Sequence, residues 1–288
     1  LPRVSGQLLT HQITNAAEAT MRLPRALALA ICLGLGLANR SKTKEHRTHI
    51  ASAINGRADV NKKSWAERYL ERTKAHPSYE FFAPAIAHYP SAERVGGRIE
   101  DAVKRKRLVY AAVGYSTTVG RGNYHNQSWP NVLERFLKEA VPDDVHVEVR
   151  NFGVGAQPSF PTFACLRDVV GDDVDVVSWE FAMNEPRGAT QPVFESCARR
   201  AWSLPTKPVF VVIDELKQRQ RIVAELAEEF DMPATVVSAA RAVRASGQDP
   251  FKDMRWARQG TEHIRGCASG RWHAGVGLHE LTAAALAW

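Results

Sequence analysis

Residues 107–120 read RLVYAAVGYSTTVG, and the fold turns on the first half of that stretch. Leu108 to Val113 is an unbroken apolar run between Arg107 and Gly114. A strand with one wet face alternates apolar and polar residues. A continuous run suits a strand covered on both faces, as in a parallel sheet. The second half, Gly114-Tyr115-Ser116-Thr117-Thr118-Val119-Gly120, is small and polar, as expected of a turn beyond the strand.

Downstream the same pattern recurs. Val132, Leu133, Phe136, Leu137 and Val141 fall at helical spacing, and Val145 to Asn151 (VHVEVRN) alternates like a strand. Phe163 to Val170 reads as a helix, Val174 to Ala182 (VDVVSWEFA) as a third strand and Pro192 to Trp202 as a helix. Pro208 to Ile213 (PVFVVI) is a fourth strand. Leu216, Ile222, Val223, Leu226 and Phe230 mark an amphipathic helix, Ala234 to Val237 a short fifth strand, and Gly277 to Trp288 a closing Ala- and Leu-rich helix. Strands alternating with helices predict a doubly wound, three-layer α/β sandwich around a five-stranded, mainly parallel sheet. In such sheets ligands sit beyond the carboxyl ends of the strands.

Upstream the signals thin out. Residues 41–106 are polar and weakly periodic. Ser64 is a candidate cap for a short helix carrying Trp65, Tyr69 and Leu70. Tyr79 to Pro90 (YEFFAPAIAHYP) is apolar but broken by two prolines, and reads as a packed irregular segment. Ala92 to Lys106 has helical character weakened by Gly96-Gly97. The run Lys104-Arg105-Lys106-Arg107 reads as a solvated helix end, since no interleaved aromatics or nucleic-acid motif accompany it.

Met21 opens a leader-like pattern. Arg22 and Arg25 precede the apolar stretch Ala26 to Ala38, and Gly36-Leu37-Ala38 resembles a small-x-small cleavage site. The expectation is a secretory signal over 21–38, preceded at 1–20 by an extension or fragment edge. A buried helix and an uncleaved anchor through 26–38 are the alternatives. A polar, partly helical region over 39–106 and a catalytic-type domain over 107–288 complete the division.

The composition narrows the classes. Of 288 residues, 44% are hydrophobic and 24% charged, which excludes a disordered or collagen-like chain. Four cysteines exclude a disulfide-dense scaffold, and those left after the leader, Cys165, Cys197 and Cys267, allow at most one internal bridge. The net charge of +7 is modest and does not by itself imply nucleic acid. No apolar run reaches the ~18 residues that span a bilayer.

Four segments follow strands or precede the last helix: Gly114-Tyr115-Ser116, Asn151-Phe152-Gly153-Val154-Gly155-Ala156, Ala182-Met183-Asn184-Glu185, and Trp272-His273 with His279 beyond it. Taken singly, each has a plain structural reading as helix cap, turn or packed histidine. Their order, over residues 107–287, resembles that of the GDSL, or SGNH, hydrolases. That family carries Gly-Asp-Ser, Asn-x-Gly-x-x-Gly, Gly-x-Asn-Asp and Asp-x-x-His at these places. The resemblance implies Ser116 as nucleophile and His273 as base. It further implies an oxyanion site from the N–H of Ser116, an N–H of the Gly155-Ala156 turn and the side-chain amide of Asn184. Asn151 is expected to stabilise a turn. Tyr115, Tyr124 and Trp129 are either pocket walls or ordinary aromatics.

There are departures from the pattern. Tyr115 stands for the Asp of the first block, Ala156 for the last Gly of the second, and Ala182 and Glu185 flank Asn184. Gly270 stands where the triad Asp is expected, three residues before His273. Asp249, Asp253, Glu262 or a backbone carbonyl are the candidates to orient the imidazole. The implied chemistry is a serine esterase working through an acyl-enzyme on a small-molecule or polysaccharide ester, with no metal or nucleotide cofactor. No nucleic-acid partner and no stable membrane insertion after leader cleavage are expected. An O-acyltransferase and a non-catalytic carbohydrate- or ligand-binding module on the same fold are the alternatives.

Overall fold

The computed structural model describes residues 79–88, 92–185, 190–214, 219–247 and 273–287. The leader-like stretch, the cap at Ser64, the three candidate carboxylates Asp249, Asp253 and Glu262, and Cys267 lie outside the described residues.

Six strands form one sheet: β1 (Ile86–His88), β2 (Arg107–Gly114), β3 (His146–Gly153), β4 (Val176–Glu180), β5 (Val209–Ile213) and β6 (Ala234–Val237), in the order β1-β6-β5-β4-β2-β3. The five strands anticipated from the apolar runs are all parallel to their neighbours. The sixth, β1, adds to β6 antiparallel at one edge. It arises in the segment expected to be irregular. There α1 (Tyr79–Phe82) and a 3-10 turn at Ala83–Ala85 lead into the strand. Pro84 fits the first turn of that element, where its missing N–H costs nothing. Ser238 N–H donates to Ala85 O at 2.8 Å, and Arg241 Nε donates to Pro84 O at 3.0 Å, which seats the segment on the sheet edge.

The remaining helices are α2 (Ala92–Lys104), α3 (Ser116–Val119), α4 (Trp129–Ala140), α5 (Ser159–Ala164), α6 (Leu166–Val170), α7 (Thr190–Trp202), α8 (Gln220–Glu229), α9 (Ala239–Ala245) and α10 (Val276–Ala287). They cover both faces. Leu108, Tyr110 and Ala112 of β2 point into one core, with Val95 of α2, Leu133 of α4 and Leu281 of α10. Val109, Ala111 and Val113 point into the other, with Phe163 of α5, Phe194 of α7 and Val223 of α8. The unbroken apolar reading of β2 follows from this, since both sets of alternate side chains meet a helix layer. The α2 helix forms despite Gly96-Gly97, because Val95, Ile99 and Ala102 bury one side of it.

The strand order reverses at β2, which has β3 on one side and β4 on the other. The loops leaving β2, β3 and β4 therefore diverge from a common crevice, the usual place for a ligand in an open α/β sheet.

Candidate active site

Ser116 begins α3 immediately beyond β2. A four-residue helix has no stability of its own, so the surroundings must hold it. Two glycines let it pack against the strand ends. A Cβ on Gly114 would lie 1.9 Å from Thr118 Oγ1, and one on Gly153 would lie 2.4 Å from Val119 N. Gly120 closes α3 at φ +81, in the left-handed region where a side chain would be strained. Asn151 pins the same turn from β3. Its Nδ2 donates to Thr118 O at 2.9 Å, and its Oδ1 accepts from Gly153 N–H at 2.9 Å. Two of the sequence blocks thus have a steric reading: their glycines and asparagine shape the seat of α3.

His273 enters just before α10. Ser116 Oγ lies 3.1 Å from His273 Nε2, and both side chains are buried. That spacing suits a hydroxyl whose proton passes to an imidazole. The two residues are 157 apart in sequence. The loop after α3 and the entry to α10 are joined directly: Asn123 Nδ2 donates to Ala274 O at 2.9 Å within the interior.

Gly155 and Ala156 lie exposed on the loop after β3. Ala156 adopts φ +63, a conformation that glycine takes readily and alanine resists. Asn184 lies in the turn after β4, and its Nδ2 donates to Gln157 O at 3.1 Å. The side chain ties the β4 loop to the β3 loop. That bond goes to the neighbouring carbonyl and not to Ser116.

Of the aromatics weighed for a pocket wall, Trp129 is buried in the core edge-on to Tyr110, whereas Tyr124 is more than half exposed and Tyr115 half-buried. Among the described residues, the exposed large hydrophobics are Val119, Tyr124, Val154, Phe160 and Met183. All five belong to the segments leaving β2, β3 and β4. Cys197 offers no rival nucleophile, because burial pushes its thiol up to about 12 and it packs against Ser159 Oγ.

Sequence reasoning missed the buried Thr118–Glu180 pair close to Ser116. Thr118 and Glu180 are both buried, and the Thr118 hydroxyl donates to Glu180 Oε2. The Trp129 indole N–H donates to the same oxygen at 2.9 Å. His279 is almost fully buried on α10, and its Nδ1 accepts from Trp129 N–H at 3.1 Å. Burial holds its imidazole down at about 4, so it is neutral at ordinary pH. The available signal for Glu180 was a second carboxyl, after Asp175, inside a mostly apolar strand, VDVVSWEFA.

No protein-family profile and no curated protein sequence matches the chain. Solved structures do. One is a two-domain esterase active on acetylated mannans, at 18% identity and a TM-score of 0.53, with 71% of this chain and 54% of that one covered. This chain therefore spans about half the length of that protein. Another is a protein of the lipolytic G-D-S-L family from Desulfitobacterium hafniense, at 15% identity, covering 62% of this chain and 98% of that one with a TM-score of 0.43. The esterase AlinE4, of the SGNH-hydrolase family, matches at 17% identity over 44% of this chain and 75% of its own, with a TM-score of 0.36. At these identities the likeness is one of architecture: the chain shares its α/β fold with the esterase active on acetylated mannans.

Proposed function

We propose that the protein is a serine ester hydrolase. The observation that carries the reading is the buried Ser116 Oγ–His273 Nε2 approach of 3.1 Å at the reversal of strand order. Ser116 Oγ attacks the ester carbonyl as its proton moves to His273 Nε2. The tetrahedral oxyanion is held by the N–H of Ser116, an N–H of the Gly155-Ala156 turn and the Asn184 amide, groups that leave adjacent strand ends. Collapse expels the alcohol, which takes the proton from His273. A water molecule, deprotonated by the same imidazole, then cleaves the acyl-enzyme and regenerates Ser116.

The apolar rim of Val119, Tyr124, Val154, Phe160 and Met183 favours an ester with an apolar portion on one side of the scissile bond. Polysaccharide O-acyl esters remain within the reading. The solved esterase of similar architecture is active on acetylated mannans, and the leader-like stretch at 21–38 suits a secreted enzyme. The test is a panel of p-nitrophenyl esters of rising acyl length. Turnover by the wild type, lost by at least about 1,000-fold in both Ser116→Ala and His273→Ala, supports the reading. Turnover unchanged in both variants refutes it.

A further inference from the structure

We propose that Glu180 is a positioning residue for the Ser116–His273 pair, its carboxyl joining the turn that carries the serine to the helices that lead to the histidine. The inference rests on reading Ser116 as the nucleophile. Glu180 is the last residue of β4 and stands in register with Gly114, the last of β2. It holds the start of α3 in two ways. Its main-chain carbonyl accepts from Tyr115 N–H at 3.2 Å, one residue before the serine. Its side-chain Oε2 accepts from the Thr118 hydroxyl, two residues after it.

The same oxygen also accepts from Trp129 Nε1 at 2.9 Å. Trp129 opens α4, and its own N–H donates to Nδ1 of His279 at 3.1 Å. His279 lies on α10, the helix entered directly from His273. A continuous chain therefore runs from Ser116 through Thr118, Glu180, Trp129 and His279 to the helix that follows the base. Its members come from α3, β4, α4 and α10. Two bonds reach the nucleophile turn, and one reaches the helix that follows the base.

Gly114 supplies an independent sign that this crossing matters. A Cβ there would lie 1.9 Å from Thr118 Oγ1 and 3.0 Å from Glu180 Cβ. The bare Gly114 keeps open the passage that the Thr118–Glu180 bond occupies. A carboxyl beside the apolar core that holds Tyr110, Ala112 and Val176 carries a desolvation cost that an apolar side chain would avoid. The two donors at one oxygen offset that cost and fix direction as well. Reacting groups need placement to within about 0.5 Å, and an error of about 1 Å costs on the order of 100-fold in rate.

The test compares Thr118→Val, Glu180→Gln and Glu180→Leu with wild type. Each is assayed for kcat and KM on a short p-nitrophenyl ester and for the rate at which a fluorophosphonate labels Ser116. Valine keeps the shape of threonine without its donor, and glutamine keeps an acceptor oxygen. The expected result for Thr118→Val is a loss of about tenfold in kcat and in labelling rate, with KM within about twofold. Glu180→Leu should lose more, and Glu180→Gln should recover to within about threefold of wild type.

A purely structural role predicts otherwise: Tm falls in Thr118→Val while kcat and labelling stay at the wild-type level. That result overturns the inference and leaves the esterase reading standing. Equal loss in Glu180→Gln and Glu180→Leu overturns it as well. Should Glu180→Leu fail to fold, Thr118→Val and Glu180→Gln decide the matter. A wild type that neither turns over esters nor labels overturns both readings together.

Discussion

The two ends of β2 are built for opposite purposes. At its amino end every member of the basic run meets a carboxylate. Lys104 pairs with Glu100 at 3.2 Å, Arg105 with Asp175, Lys106 with Asp144 at 2.9 Å and Arg107 with Asp173 at 2.6 Å. Hydrogen bonds from Arg150 and Arg107 hold the Asp173 carboxyl well below the usual carboxylate range. These charges are answered within the protein. At the carboxyl end Ser116, Thr118, Glu180 and His273 are buried, and the large apolar side chains of Val119, Tyr124, Val154, Phe160 and Met183 are exposed. One end is a solvated rim whose pairs contribute little individually. The other shields a Ser–His pair and offers an apolar approach to it. Buried polar groups gathered at the strand ends mark the candidate site, and net charge is a poor guide to that place.

The sharpest way to break this contrast is to alter both ends of the one strand. Gly114→Ala puts a methyl group into the Thr118–Glu180 crossing. Ester turnover should fall at least about 100-fold, and stability by about 1–3 kcal/mol, read from kcat and a urea midpoint. Arg107→Ala, at the other end, should leave kcat within about twofold. Equal activity in the two variants would dissolve the distinction.

Acid should find the carboxyl end first. His279 is neutral in the fold down to about pH 4, whereas in the unfolded chain it takes a proton near pH 6.5. Above that range neither state binds the proton, and the contribution is complete. As the pH falls from about 6.5 to 4, the unfolded state alone gains a proton and stability drops, by about 3 kcal/mol in all. Urea midpoints measured across that range should show the loss, and His279→Asn should flatten the slope. An unchanged slope in that variant would assign the acid sensitivity elsewhere.

A smaller effect goes the other way. Ala156→Gly relieves the positive φ and should raise stability by about 1 kcal/mol, read as a higher Tm. The least effect is expected at the amino end. Lys106→Ala should change stability by less than about 1 kcal/mol, with that difference shrinking further in high salt.

The parallel sheet was legible because its strands are covered on both faces and so read as apolar runs, LVYAAV and PVFVVI above all. The β1 strand was not legible: Ile86–His88 is three residues long and sits between prolines at 84 and 90. Ser116 and His273 were legible through the order of the blocks at the strand ends. His279 was singled out at the start of the last helix, whereas Glu180 stood only as a carboxyl in a mostly apolar strand. Their meaning lies in partners 51 and 150 residues away, which no local pattern encodes. Asn184 was read as an oxyanion donor from its place after β4. Its bond to the Gln157 carbonyl is a loop-to-loop contact that spacing cannot reveal.

The central claim is that Ser116 is a nucleophile activated by His273. The most direct measurement is covalent labelling of the folded protein by a fluorophosphonate, located by peptide mass spectrometry. The account predicts a single adduct on Ser116, formed rapidly in the wild type and slowed by at least about 100-fold in His273→Ala. An unlabelled Ser116 in folded protein, or labelling at the same rate without His273, would contradict it.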